Sequence, residues 1–328
     1  NLLGIRALPT VMTDVREVEL GMEGTEMTFP RDRPQQPARS EVHRVYEVWR
    51  SQNLGGQNRF FCSGWCVAGP PIDLKFQLCT WCSMLVPSLF YFLFCARYLW
   101  QHVNPWLPLL TFVVLISTAV LWLLTACTDP GIIPRAELQA KVPRIQNDVA
   151  RVTGCRPLAF DGVDCITPSE EDQGYRFCQT CHIIRPPRAS HCRDCDNCVL
   201  RFDHHCPFVN NCIGQRNYIF FSGFLVSVAF LGLAVLAGIG IWYAQLKGAG
   251  PSEKVLNLLL LALAPAVLLL PCVLVLAGFH AWLTCTGRTT KEVLTRRGQD
   301  SQGIDRNVGR IGWFEPRAPS LLPVWAAV

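Results

Sequence analysis

The sequence predicts a mainly α-helical membrane protein, with four transmembrane helices and a cytosolic cysteine-rich, metal-binding module between the second and third. Three observations carry that prediction. Four stretches are long and nearly free of charge, roughly Phe76–Cys95, Trp106–Cys127, Tyr218–Tyr243 and Val255–Leu283. Each meets or exceeds the ~20 residues that a helix needs to cross the hydrocarbon core. One such run would suit a buried core helix, but four in a chain of 328 residues indicate a polytopic membrane protein. Basic residues are unevenly placed: eleven Lys or Arg lie between the second and third stretches and seven after Leu283. Only three lie in the loops near Arg97 and Lys247–Lys254, so the termini and the long middle segment are expected in the cytosol. Finally, seven of the 17 cysteines crowd into 178–212, where cytosolic thiols stay reduced and metal or catalysis outranks disulfides.

Taken in order, residues 1–75 read as a cytosolic N-terminal arm. They are polar, charged and rich in Pro and Gly, with no visible secretory signal, and "PRDRPQQPARS" cannot build a core. The chain opens on Asn1, which leaves room for residues ahead of it. "NRFFCSGWCVAGPPIDLKF" brings interfacial aromatics to the first span, and residues 76–127 hold spans one and two. "CTDPGIIP" is a turn-rich exit from the bilayer, and 128–176 is a cytosolic linker, polar and without a clear period over 135–174. The cysteine-rich block fills 177–217, so close to the third span that it must sit against the membrane face. Residues 218–283 hold spans three and four, where Pro265 and Pro271 either kink the last helix or are tolerated by its neighbours. Residues 284–328 form a cytosolic tail. Cysteines 79, 82, 95, 127, 272 and 285 lie in or beside spans and read as small packing residues. The net charge of +5 is modest and gives no reason to expect nucleic acid.

Cys178, Cys181, His191, Cys192, Cys195, Cys198, His204, His205, Cys206 and Cys212 make ten potential metal ligands in 35 residues. A closed tetrahedral zinc site uses four, commonly Cys3His. Two such sites would use eight and leave one cysteine and one histidine over. A spare Cys–His couple beside an aspartate is the arrangement of an activated thiol nucleophile. Spacing alone does not fix which residues are spare. His204 and Cys206, at i and i+2, suit an extended backbone, and Asp203 is placed to orient an imidazole. The competing reading is a structural zinc module, as in a membrane-anchored zinc-finger binding protein or ubiquitin ligase, which needs no spare couple. A transporter would carry ionisable residues within its spans, and these are almost bare of charge.

Asp203-His204-His205-Cys206 within this spacing resembles the DHHC family of protein S-acyltransferases, the membrane palmitoyltransferases. Asp129-Pro130-Gly131 after the second span, Thr289-Thr290-Lys291-Glu292 after the fourth, Asn307 and "NNCIGQRNYIFF" are similar to the family's other motifs. The resemblance covers about residues 60–310 and implies two interleaved Cys3His zinc sites. One would be Cys178, Cys181, His191 and Cys198, the other Cys192, Cys195, His205 and Cys212. Cys206 is then the nucleophile and His204 its base, with Asp203 holding the base and Thr290 holding Asp203. Phe208 departs from the family's usual tryptophan and reads as a tolerated aromatic swap.

The implied activity is transfer of a long-chain acyl group from palmitoyl-CoA or a related acyl-CoA to protein cysteines, through an S-acyl intermediate on Cys206. A sixteen-carbon tail carries about fifteen methylenes at ~0.8 kcal/mol each, which explains the membrane. Arg185, Arg188, Arg193 and Arg201 are candidates for the CoA phosphates, or equally for anionic headgroups. Substrates would be proteins with membrane-proximal cysteines. Similarity to members that acylate Ras-type small GTPases brings in those substrates and a small accessory subunit. The expected location is the endomembrane system (ER or Golgi) or the plasma membrane.

Overall fold

The computed structural model describes residues 56–62, 66–155, 166–245 and 253–295. Residues 1–55, 63–65, 156–165, 246–252 and 296–328, with Asn307, lie outside the described residues.

Strands β1 (Arg59–Phe61) and β2 (Cys66–Ala68) pair as an antiparallel hairpin where a plain arm was expected. A 3-10 turn at Pro71–Asp73 opens α1 (Leu74–Phe90), which runs through a π-helical turn at Tyr91–Cys95 into α2 (Ala96–His102). Together they make the first candidate span, Pro71–His102, longer than its apolar stretch because both ends continue into polar sequence. Helix α3 (Trp106–Cys127) is the second. Next come β3 (Ile132–Ile133), α4 (Ala136–Lys141), α5 (Pro143–Thr153) and α6 (Pro168–Asp172). The cysteine-rich block folds as short strands: β4 (Arg176–Cys178), β5 (Ile183–Arg185), β6 (Ser190–Cys192), β7 (Asn197–Val199), β8 (His204–Cys206) and β9 (Asn211–Ile213). Helices α7 (Tyr218–Gln245) and α8 (Glu253–Thr286) supply the last two spans, and α9 (Thr290–Leu294) follows them. Helix α8 runs unbroken through both of its prolines.

The linker is not without structure. Pro143 stands at the first turn of α5, and Gly154, at φ +67°, ends it in the left-handed region. Ile145 and Val149, one helical turn apart, are buried against Ile132, Ile133 and Leu138 in the same core as the module's cysteines. Two apolar turns are too short a period to stand out among the charged residues around them.

Strand β4 pairs with β5 and β8 with β9, while β7 lies between β6 and β3 in a three-stranded sheet. Asparagines fasten this module to the end of α3. Asn211 Nδ2 donates to the carbonyls of Val67, Ala126 and Thr128 at 3.0, 3.1 and 3.0 Å, and Asn217 Nδ2 donates to those of Thr125 and Cys212 at 3.2 and 2.8 Å. Thr125, Ala126 and Thr128 include carbonyls that the end of a helix leaves without intrahelical partners. The turn after α3 is fixed by Asp129, whose Oδ1 accepts from the amides of Gly131 and Ile132, both at 2.9 Å. Among the spans, Thr118 and Ser227 hydroxyls meet at 2.7 Å between α3 and α7. Gly238 lets α7 approach the π turn, because a Cβ there would overlap a ring carbon of Tyr91.

Candidate active site

Strand pairing divides the ten ligands. In β6, His191 and Cys192 point to opposite faces, as successive residues of a strand must, and the same alternation in β8 separates His205 from His204 and Cys206. Among the described residues the result is two four-ligand groups with the geometry to hold a metal ion, Cys178–Cys181–His191–Cys198 and Cys192–Cys195–His205–Cys212, beside a sulfur-free trio of Asp203, His204 and His280. In the first, His191 Nδ1 lies 3.7, 3.5 and 3.7 Å from the sulfurs of Cys178, Cys181 and Cys198. In the second, His205 Nδ1 lies 3.4 Å from Cys195 Sγ and 3.7 Å from Cys212 Sγ, and those two sulfurs are 3.5 Å apart. The cysteines of both groups are buried.

His204 and Cys206 belong to neither group. His204 Nδ1 is 2.6 Å from Asp203 Oδ2, and the imidazole's other partner is Cys206. Burial works against the charged ring, but the Asp203 carboxylate and the Cys206 side chain outweigh it and raise the His204 pKa to about 9. Asp203 is itself buried, which disfavours its charge. Bonds from His204 and from Thr290 overcome this and hold its pKa below the usual value. Thr290 reaches Asp203 twice, through its amide to Oδ1 at 2.8 Å and its hydroxyl to Oδ2 at 2.7 Å. Helix α9 is held in place for this by its own capping box between Thr289 and Glu292.

The four arginines have different settings. Arg188 pairs with Glu292 at 2.6 Å and donates to the Gly287 carbonyl at 2.7 Å. Arg201, which is buried, reaches the same carbonyl at 3.1 Å. These two tie down the end of α8, where Gly287 turns left-handed at φ +65°. Arg185 donates to the Phe177 carbonyl at 3.4 Å, and Arg193 is exposed.

Cys206 opens on an apolar cavity of about 530 Å³. One face of α7 lines it, from Phe221 and Leu225 through Val228 to Gly232 and Val235. Those residues cover about 21 Å of helix at 1.5 Å per residue, the depth of a long chain rather than a small acyl group. Helix α1 supplies Ser83, Met84 and Pro87, and α8 supplies Leu269, Leu270 and Val273. Cys79 and Cys272, expected as packing residues, line this cavity, whereas Cys95 is buried between helices. Phe208 also lines the cavity, half exposed, its ring edge-on to Phe76 at 5.8 Å.

Three residues near the site escaped the sequence reading. Asp73 Oδ2 is 2.9 Å from His205 Nε2. His280 is buried in α8, with its ring 5.7 Å from that of His204 and its Nδ1 3.1 Å from the Tyr218 hydroxyl. A lone ionisable residue in an apolar span was the signal for it. Glu292, the last residue of the Thr-Thr-Lys-Glu motif, is the partner of Arg188.

A cysteine set between metal-ligand clusters and a deep apolar cavity suits one class of protein, a membrane thiol acyltransferase. The comparisons agree: the family profile described as DHHC palmitoyltransferase matches residues 171–297. The chain is 35% identical to the palmitoyltransferase ZDHHC18-B of Danio rerio over 80% of its own length and 67% of that protein. It is 32% identical to mouse palmitoyltransferase ZDHHC14, over 88% of this chain and 59% of the relative. It is 35% identical to human palmitoyltransferase ZDHHC9, over 76% and 69%. The chain therefore spans between 59% and 69% of the length of these relatives. It belongs to the DHHC palmitoyltransferase family, and protein S-palmitoylation is the function that this membership supports. It is a multi-pass membrane protein whose family acts on protein substrates.

Proposed function

We propose that the chain transfers a long-chain acyl group from acyl-CoA to cysteines of membrane-proximal proteins in two steps, by way of Cys206. The observation that carries this is the partition of ligands: eight of the ten fall into two four-ligand metal-binding groups and leave His204 and Cys206 together in the cavity lining.

The two groups fit zinc. A tetrahedron with Zn–S of ~2.3 Å and Zn–N of ~2.0–2.1 Å has S···N edges of about 3.5–3.6 Å, and three sulfurs with one nitrogen are a common structural set. The separations given above, 3.4–3.7 Å, match those edges. When bound, the two ions supply structural cross-links that hold the short strands in place. The chemistry belongs to the chain.

His204, oriented by Asp203, takes the proton of the Cys206 thiol. The thiolate attacks the acyl-CoA carbonyl, the bond from that carbon to the CoA sulfur breaks, and the departing sulfur takes the proton from His204. A substrate cysteine then loses its proton to His204 and attacks the Cys206 thioester, and Cys206 leaves as a thiol by the same route. Thioester exchange is near thermoneutral, so proximity and an available thiolate are the main contributions. The raised pKa of His204 favours the imidazolium that pairs with a thiolate. Thr290 positions Asp203, and the cavity takes the acyl chain.

For the CoA phosphates, Arg185 and Arg193 are the better placed of the four arginines, since Arg188 and Arg201 are engaged with the end of α8. The basic-residue distribution supports a cytosolic module and termini; the ER, Golgi and plasma membrane are the candidate locations. Ras-type small GTPases are candidate substrates and a small accessory subunit a candidate partner, on the strength of the resemblance. Incubation with an alkyne-tagged palmitoyl-CoA tests the activity. A hydroxylamine-labile label that Cys206→Ser abolishes is expected. Its absence in wild type would favour a zinc-finger binding module or ubiquitin ligase.

A further inference from the structure

We propose that Asp73 is a positioning residue of the second metal site, tying the first span to the strand that carries Cys206. The proposal rests on the reading that Cys192, Cys195, His205 and Cys212 hold a zinc ion. Asp73 precedes α1 at its N-cap, where an aspartate ordinarily accepts a bond from the first-turn amides. It makes no such bond. Its side chain, only 10% exposed, turns instead to His205 Nε2 at 2.9 Å. His205 meanwhile presents Nδ1 to the thiol sulfurs. A histidine that ligates through one nitrogen donates through the other, and a carboxylate there fixes both tautomer and ring orientation. The first site has the same arrangement, with Asp196 Oδ1 3.5 Å from His191 Nε2. Asp196 belongs to the module itself, however, while Asp73 comes from the mouth of a membrane span 132 positions away.

Helix α1 grips this segment at more than one point. Asp73, Phe76 and Thr80 are spaced by three and four residues, on one helical face. Phe76 packs against the Phe208 ring, and Thr80 Oγ1 donates to the Phe208 carbonyl at 3.1 Å. The first span thus holds residues 205 and 208, on both sides of Cys206. The same helix lines the cavity through Ser83 and Met84. The cavity wall and the nucleophile's strand therefore share one frame, and the hold of the second site on its ion depends on the span.

The test is zinc release to a colorimetric chelator from the purified full chain in lipid nanodiscs. Loss of an outer carboxylate partner typically costs 10- to 100-fold in metal affinity. In Asp73→Ala, one of two zinc ions should leave about 10- to 100-fold faster while the other keeps the wild-type rate. Asp73→Asn keeps the side chain's size and an acceptor oxygen but not the charge, so a smaller acceleration of the same single ion is expected. Asp196→Ala should speed the other ion. Wild-type release of both ions from Asp73→Asn and Asp73→Ala overturns the proposal, as does equal acceleration of both ions in Asp73→Asn. Should Asp73→Ala not fold, the asparagine variant decides alone. Fewer than two zinc ions in the wild type would instead overturn the zinc reading on which the proposal stands.

Discussion

Replacing Thr290 with valine removes one hydroxyl and leaves the surrounding backbone in place. Thr290 is the first residue of α9, and the cap of that helix is Thr289, so the capping box survives the change. What is lost is a 2.7 Å bond to Asp203, whose carboxylate has no exposed surface. The 2.8 Å bond from the Thr290 amide and the contact with His204 remain. A hydrogen bond to a buried charged group contributes about 1.5–3 kcal/mol. At about 1.4 kcal/mol per decade, a loss expressed fully in the step that uses His204 slows it roughly 10- to 150-fold. Single-turnover acylation by tagged palmitoyl-CoA, followed by transfer to an acceptor peptide, measures both half-reactions. Both should slow in Thr290→Val, with zinc content unchanged, and Thr290→Ser should recover most of the rate. Wild-type kinetics in the valine variant would refute the positioning role of the hydroxyl. A serine variant as slow as valine, which keeps the threonine methyl, would mean that the hydroxyl acts only when that methyl holds it in place.

The two adjacent histidines should fail differently: His205→Ala is expected to lower zinc content and thermal stability together. His204→Ala should keep both near wild type but form the acyl-enzyme slowly and pass the chain on worst, whereas zinc loss from it alone would exchange the two assignments. Gly238→Ala forces a Cβ against Tyr91 and should lower stability by about 1–3 kcal/mol, seen as a reduced melting temperature in detergent, and an unchanged one would mean that α7 moves aside freely. Glycosylation tags report orientation, and one at 247–252 should be modified while one at 140–170 is not. The reverse pattern would invert the topology.

The membrane spans and the ligand inventory could be read from the sequence because both are local. Apolar length marks a span, and Cys-x2-Cys marks a ligand pair. How the ligands divide could not be read that way. His191 and Cys192 are neighbours in sequence but serve opposite groups, because a strand sends successive side chains to opposite faces. The resemblance named the two sets, and the pairing of β6 with β7 and β8 with β9 is the physical reason for them.

Contacts between distant segments were invisible for a related reason. Arg188 meets Glu292 across 104 positions, and nothing in the sequence around the cysteines announces that Arg188 and Arg201 reach the end of α8. Asp73 read as part of a polar approach to the first span, since nothing in its neighbourhood announces a histidine far along the chain. The linker helix α5 was missed because its apolar period lasts only two turns, which is enough to bury Ile145 and Val149 but too little to rise above the surrounding charge.

Native mass spectrometry of the full chain after brief exposure to palmitoyl-CoA tests the central claim most directly, that Cys206 is free for chemistry because eight other ligands are not. The expected mass is that of the chain with two zinc ions and one acyl group, and peptide mapping should place the acyl group on Cys206. An acyl group gained at the expense of a zinc ion, or found on any of the eight metal-site residues, would contradict it.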